Sequence, residues 1–159
     1  MASPKPLPSK KFPALSEAFG ENSIQVGAIA LDREHAIELA GNLLVASGRT
    51  TPDYTDEMIA ALEQHGPYMV IAPGIALVHG RPSEAVLETG LSLVVLGEPV
   101  EFQHETNDPV RLVVGLCAFD HSSHIEIMQE LAQALSDDEL VNSLLNAPDS
   151  EHIRQLFEI

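Results

Sequence analysis

The chain has 159 residues, 45% hydrophobic and 20% charged, enough for one soluble globular domain that buries roughly two-thirds of its unfolded surface. Its formal net charge is −16, aromatic residues make up 4%, and tryptophan is absent. Such a surface repels nucleic acid and anionic membrane and offers little for bases to stack on.

The charge is unevenly placed. Lys5, Lys10 and Lys11 are the only lysines and all precede the first acid, Glu17. From residue 14 onward, 5 arginines face 24 acids, a formal −19 that favours positively faced protein partners. Residues 1–13 carry Pro4, Pro6, Pro8 and Pro13 among the lysines and read as a flexible Pro/Lys tail; residues 14–159 form the domain. Cys117 is the sole cysteine, in an apolar run, so a buried inert thiol and a reducing cytoplasm are expected. No signal-peptide pattern occurs, and no apolar stretch is long enough to span a bilayer.

Ala14–Phe19 reads as one helical turn, and Ser23–Val26 alternates like an edge strand. Asp32 caps a helix over Arg33–Ser47, closed by Gly48. Thr55 caps a second helix with Met58, Ile59 and Leu62 on one face, ending at His65-Gly66-Pro67. Short apolar runs follow at Met69–Ala72 and Ile75–Val78, around a Pro73-Gly74 turn. Thr89–Leu96 is a buried strand that Gly97-Glu98-Pro99 ends, with Val100–Phe102 on a new line. Residues 104–109 are a polar loop, and Val110–Phe119 is the most apolar strand. The last forty residues are helical, with Ser136 and Ser150 as caps. Helices precede, flank and follow a buried sheet, which predicts an α/β class with helices on both faces.

His79 ends a short apolar strand and is followed by Gly80 and Arg81. A strand delivers an imidazole rigidly. Gly80 leaves a backbone N–H free to approach an anion, and Arg81 suits phosphate geometry. His121 and His124 follow the next buried strand in Asp120-His121-Ser122-Ser123-His124. Strand ends in open α/β sheets are where ligands bind, and a helix N-terminus there favours anions. If the two strands are neighbours ending on one edge, His79 and His124 meet. His79, His121, His124 and Asp120 also supply metal-ligand chemistry, although the spacing matches no strong metal signature. No nucleophile elbow, Walker A loop or dinucleotide-binding glycine fingerprint is present, and no cofactor is expected.

The segment HGPYMVIAPGIALVHGRP resembles the IIA component of the bacterial phosphoenolpyruvate-dependent sugar phosphotransferase system, of the fructose/mannitol-type superfamily and its ascorbate-type branch. The resemblance continues through TGLSLVVLGEPVEF, NDPVRLVVGLCAFDHSSHIEIMQELAQAL and SDDELVNSLLNA, over roughly residues 20–159. It implies a three-layer α/β/α sandwich with a central mixed sheet. It implies a phosphoryl carrier that accepts phosphate from the phosphocarrier protein HPr on a histidine. The IIB component then receives the group, in ascorbate-type systems on a cysteine, and the sugar is phosphorylated as it enters through the membrane IIC component. The phosphorylated position matches His79 and the second active-site histidine matches His124; Gly80 and Arg81 are the expected phosphoryl-binding neighbours. Val78 stands where many relatives have proline, and Gly80 where many have alanine. Residues 52–78 contain no Arg or Lys for the role an upstream arginine takes in some mannitol-type members. Two rivals stand beside this reading: a regulatory protein phosphorylated at the same histidine, and a metal-dependent hydrolase built on His79, His121 and Asp120. A homodimer through the apolar helix faces is also open.

Overall fold

The computed structural model describes residues 11–159, so the expectation for the first ten residues of the tail lies outside the described residues. Phe12 and Pro13, assigned to the tail from the sequence, belong to the packed body. Phe12 is 1% exposed and meets the Phe157 ring edge-on. Pro13 begins α1 (Pro13–Ala18), where a missing N–H costs nothing. This helix has no cap of its own: Glu130 accepts the Ala14 and Leu15 amides at 3.0 and 3.1 Å.

The chain continues as β1 (Phe19–Ala28), α2 (Arg33–Ala46), α3 (Asp53–His65), a 3-10 turn at Pro67–Met69, β2 (Val70–Ala72) and β3 (Ile75–His79). Then come β4 (Gly90–Val100), β5 (Val110–Cys117), α4 (His121–Leu135), α5 (Asp138–Leu145) and α6 (Ser150–Phe157). Asp32 caps α2 as expected, accepting the His35 amide at 2.8 Å. The other predicted caps move by a few residues. Pro52, already helical at φ −57°, leads into α3, and Thr55 turns inward to 8% exposure. Asp137 and Asp149 displace Ser136 and Ser150, because the neighbouring carboxylate is the stronger acceptor for the first-turn amides. The Gly97-Glu98-Pro99 segment does not end β4. The strand runs through it on an irregular stretch, between the pairs Val95↔Leu112 and Val100↔Val110, where a proline breaks no ladder bond.

The five strands form one mixed sheet in the order β1-β4-β5-β3-β2. β1 runs parallel to β4 and β3 parallel to β5, while β4–β5 and β2–β3 are antiparallel. Period-two alternation divides the apolar residues between two cores. Ile75, Leu77, Leu112, Val114 and Leu116 pack under α1, α4, α5 and α6. Ala76, Val78, Val94, Val113 and Cys117 pack under α2 and α3. Each fully buried Val or Leu here contributes about 1.5–3 kcal/mol over leaving it in water. The result has helices on both faces of the sheet, as the patterning predicts, and is the three-layer α/β/α sandwich with a mixed sheet that the resemblance implies. Among the described residues, no helix is long and apolar enough to cross a membrane.

Candidate functional site

β3 and β5 are adjacent and parallel, so they end on one edge, with His79 paired to Leu116. His79 shares the parity of Ile75 and Leu77, so it faces the α4 side of the sheet. β5 ends at Cys117, and α4 begins four residues later. The Asp120 carboxylate takes the Ser123 amide at 2.8 Å, which holds it below the usual carboxylate range and fixes where α4 starts. His121 and His124, three apart, share one helix face. A cavity of about 320 Å³ is lined by His79, Arg81, Leu116, Asp120, His121 and His124. The two expected histidines therefore meet, and His121 joins them.

Burial lowers the His79 pKa from its ordinary value, a hydrogen bond to the Leu77 carbonyl opposes that, and the neighbouring His124 lowers it further. His79 Nδ1 lies 3.0 Å from the Leu77 oxygen. A carbonyl can only accept, so Nδ1 carries the proton and Nε2 keeps its lone pair.

A second cavity of about 360 Å³ also touches His79 and is lined by Gln64, His65, Tyr68, Arg81 and Ser83 among others. Tyr68 meets His79 edge-on at 5.8 Å between centroids, and His65 meets Tyr68 at 5.9 Å. Sequence reasoning took His65 as a helix terminus and passed over Tyr68. The one available signal was that Tyr54 and Tyr68 are the only tyrosines in an aromatic-poor chain.

One expectation fails. The Gly80 N–H is not free to approach an anion: it donates to the Tyr54 hydroxyl at 2.9 Å. Arg81 is exposed and borders both cavities. Cys117 is buried, with Sγ 3.3 Å from the Glu88 carbonyl, and burial pushes its thiol up to about 12, as an inert cysteine requires. Among the described residues, no three His, Cys, Asp or Glu side chains gather closely enough to hold a metal ion, so the donor set of the hydrolase reading is not assembled.

The family model of the phosphoenolpyruvate-dependent sugar phosphotransferase system, EIIA 2, matches residues 17–159. The ascorbate-specific PTS system EIIA component of Shigella boydii is 37% identical over 146 residues, spanning 91% of this chain and 95% of that protein. The mannitol-specific cryptic phosphotransferase enzyme IIA of Escherichia coli superposes with a TM-score of 0.81 at 33% identity, covering 91% of this chain and 97% of the other. The Escherichia coli mannitol enzyme IIA, solved in complex with phosphorylated enzyme IIB, superposes with a TM-score of 0.77 at 28% identity, covering 88% and 96%. A histidine held with a free nitrogen at a sheet edge, on this fold and in this sequence context, belongs to a phosphotransferase component, and the chain is a member of the EIIA 2 family of the phosphoenolpyruvate-dependent sugar phosphotransferase system.

Proposed function

We propose that His79 Nε2 is the atom that receives the phosphoryl group, from phosphorylated HPr, and that a IIB component takes it onward. The observation that carries this is the Nδ1–Leu77 hydrogen bond, which leaves Nε2 as the ring's nucleophile beside an open cavity. Nε2 attacks phosphorus as the donor's P–N bond breaks, and the donor imidazole leaves with the bonding pair. The proton stays on Nδ1, donated to the Leu77 carbonyl. The phosphorylated ring therefore remains a good leaving group when the IIB thiolate attacks in turn.

His124 and the N-terminal turn of α4 face the same cavity and supply donors for the transferring oxygens, with Arg81 at the rim. Gly80 contributes through its backbone rather than as an anion donor.

Partner docking has support around this edge. Tyr68, Leu87, Phe119 and Ile125 are 45%, 51%, 64% and 42% exposed. Glu57 borders the cavity beside Tyr68, and Glu88, Asp120 and Glu126 line a further hollow with Leu87 and Phe119, which suits basic partner surfaces. The ascorbate-specific names of the relatives favour L-ascorbate as the transported compound; the same reading has this chain act in the cytoplasm and the compound enter through a membrane IIC component.

Incubation with phosphoenolpyruvate, Enzyme I and HPr is expected to label the protein with one acid-labile phosphate. Full labelling of His79→Ala would assign the acceptor elsewhere.

A further inference from the structure

Tyr54 sits in the first turn of α3, across the sheet from α4, and is 1% exposed. Its hydroxyl accepts from the Gly80 amide at 2.9 Å and donates to the Leu116 carbonyl at 2.8 Å. The Gly80 carbonyl lies 3.3 Å from the same oxygen. His79↔Leu116 is the last pair of the parallel β3–β5 ladder. In a parallel ladder, the amide after a paired residue can reach the partner's carbonyl. A further rung would therefore join Gly80 N–H to Leu116 C=O. The tyrosine oxygen occupies that gap.

We propose that Tyr54 is a positioning residue for phosphoryl transfer: its hydroxyl is spliced into the ladder beyond His79, holding the peptide plane that follows the histidine and keeping β3 and β5 apart where the cavity opens. The proposal rests on the reading of His79 as phosphoryl acceptor.

The peptide unit joining His79 to Gly80 carries the Gly80 N–H. Fixing that N–H fixes ψ at His79, and with it the direction in which the side chain leaves the strand. The ring is held independently by Nδ1 on the Leu77 carbonyl. Two anchors, one on the backbone ahead and one on the ring behind, leave Nε2 a single heading. Burial drives the Tyr54 pKa up, so the phenol keeps its proton across the neutral range and continues to donate. A Cβ at position 80 would lie 3.4 Å from Tyr54 Cε1, so the ring also abuts the backbone it holds. Phenylalanine at position 54 would keep that packing. It would either strand the Gly80 amide and Leu116 carbonyl without partners or let the strands close.

Tyr54→Phe in the full chain, with phosphorylated HPr as donor, tests this. The variant is expected to melt cooperatively and to reach the wild-type labelled fraction. Its rate at saturating donor should fall roughly tenfold to a hundredfold, the scale of a small misplacement, while the half-saturating donor concentration stays unchanged. A wild-type rate in a folded variant overturns the proposal, and so does a change confined to half-saturation, which would place Tyr54 in docking. The unaltered protein gives a reading that does not depend on the variant folding. The Gly80 amide should exchange with deuterium as slowly as the β3 amides, and exchange at an open-loop rate overturns the bridge. If the wild type takes no label, the His79 reading fails, while Gly80 exchange still decides the bridge by itself.

Discussion

His79 Nδ1 rests on the carbonyl of Leu77, two residues back along its own strand, at 3.0 Å. The ring's tautomer is thus set by backbone. A carboxylate in that place would stabilise the imidazolium and keep the ring protonated. A carbonyl orients the ring with no net charge, so the neutral imidazole persists.

The pH dependence follows with a definite sign. Burial, and then His124, place the folded His79 pKa below its ordinary value of 6.5. In the unfolded chain the ring protonates near pH 6.5, about the unperturbed value. Between the two values the unfolded state binds the extra proton. Stability is therefore full above the unfolded pKa and declines as pH falls through that window. An NMR titration of the His79 Cε1 proton should show a midpoint below 6.5. His124→Ala should move the midpoint upward without restoring the ordinary value, since burial is the larger cause. A midpoint at or above the ordinary value in the wild type would contradict the packing around the ring.

His124 and His121 should separate in kinetics. Both line the cavity, but His121 is the exposed first residue of α4, whereas His124 is partly buried. Loss of one preorganised donor to a transferring group costs roughly a hundredfold or more in rate. His124→Ala is expected to slow transfer to IIB on that scale, and His121→Ala to have the smaller effect. Equal, minor losses in rapid-quench measurements would remove His124 from the transfer step.

The sequence made the histidine pair legible because His79 closes one apolar run and His124 follows another within a few residues, and strand ends gather on one edge. It made the sheet order legible only in part: β1 falls on an edge as its short alternation suggests, but the pairing of β4 between β1 and β5 has no local signal. Tyr54 stayed hidden for a physical reason. Its role comes from a register, Gly80 N–H opposite Leu116 C=O, between residues that lie 26 and 62 positions from Tyr54. The free Gly80 amide was a fair inference from a small residue beside an imidazole, and it failed on that same long-range contact. The moved caps show the opposite case, where two adjacent good acceptors compete and local chemistry cannot rank them by composition alone.

Gly41→Ala should report on the α2–α3 contact. A methyl at Gly41 would overlap the Thr55 side chain, including its Cβ, so the helices must separate. Overpacking of this kind costs about 1–3 kcal/mol. Urea unfolding should show a lower midpoint at unchanged slope. A wild-type midpoint would mean the helices have slack that their packing denies.

Arg49 offers a contrast between kinds of polar contact. Its guanidinium donates to the Glu17 carbonyl at 3.0 Å and the Thr89 carbonyl at 3.1 Å, tying the end of α1 to the entry of β4. Its ion pair with Glu88 spans 3.4 Å, and the Glu88 side chain is 68% exposed. Arg49→Met keeps the stem and loses both charge-assisted bonds, an expected cost of about 2–4 kcal/mol. Glu88→Gln should change stability by less than about 0.5 kcal/mol. Denaturant titrations of the two variants check the ordering, and a larger loss for Glu88→Gln would reverse it.

The sheet separates two cores, one under α1 and α4–α6 and one under α2 and α3. Their substitutions should mostly add, as for distant sites. His79 is the exception: its ring hangs in the first layer while the hydroxyl bridging its backbone comes from the second. Mutations on opposite sides of the sheet can therefore be silent toward each other in stability and still show epistasis in transfer rate. A lineage drifting freely in either core would find its substitutions judged jointly at this one residue.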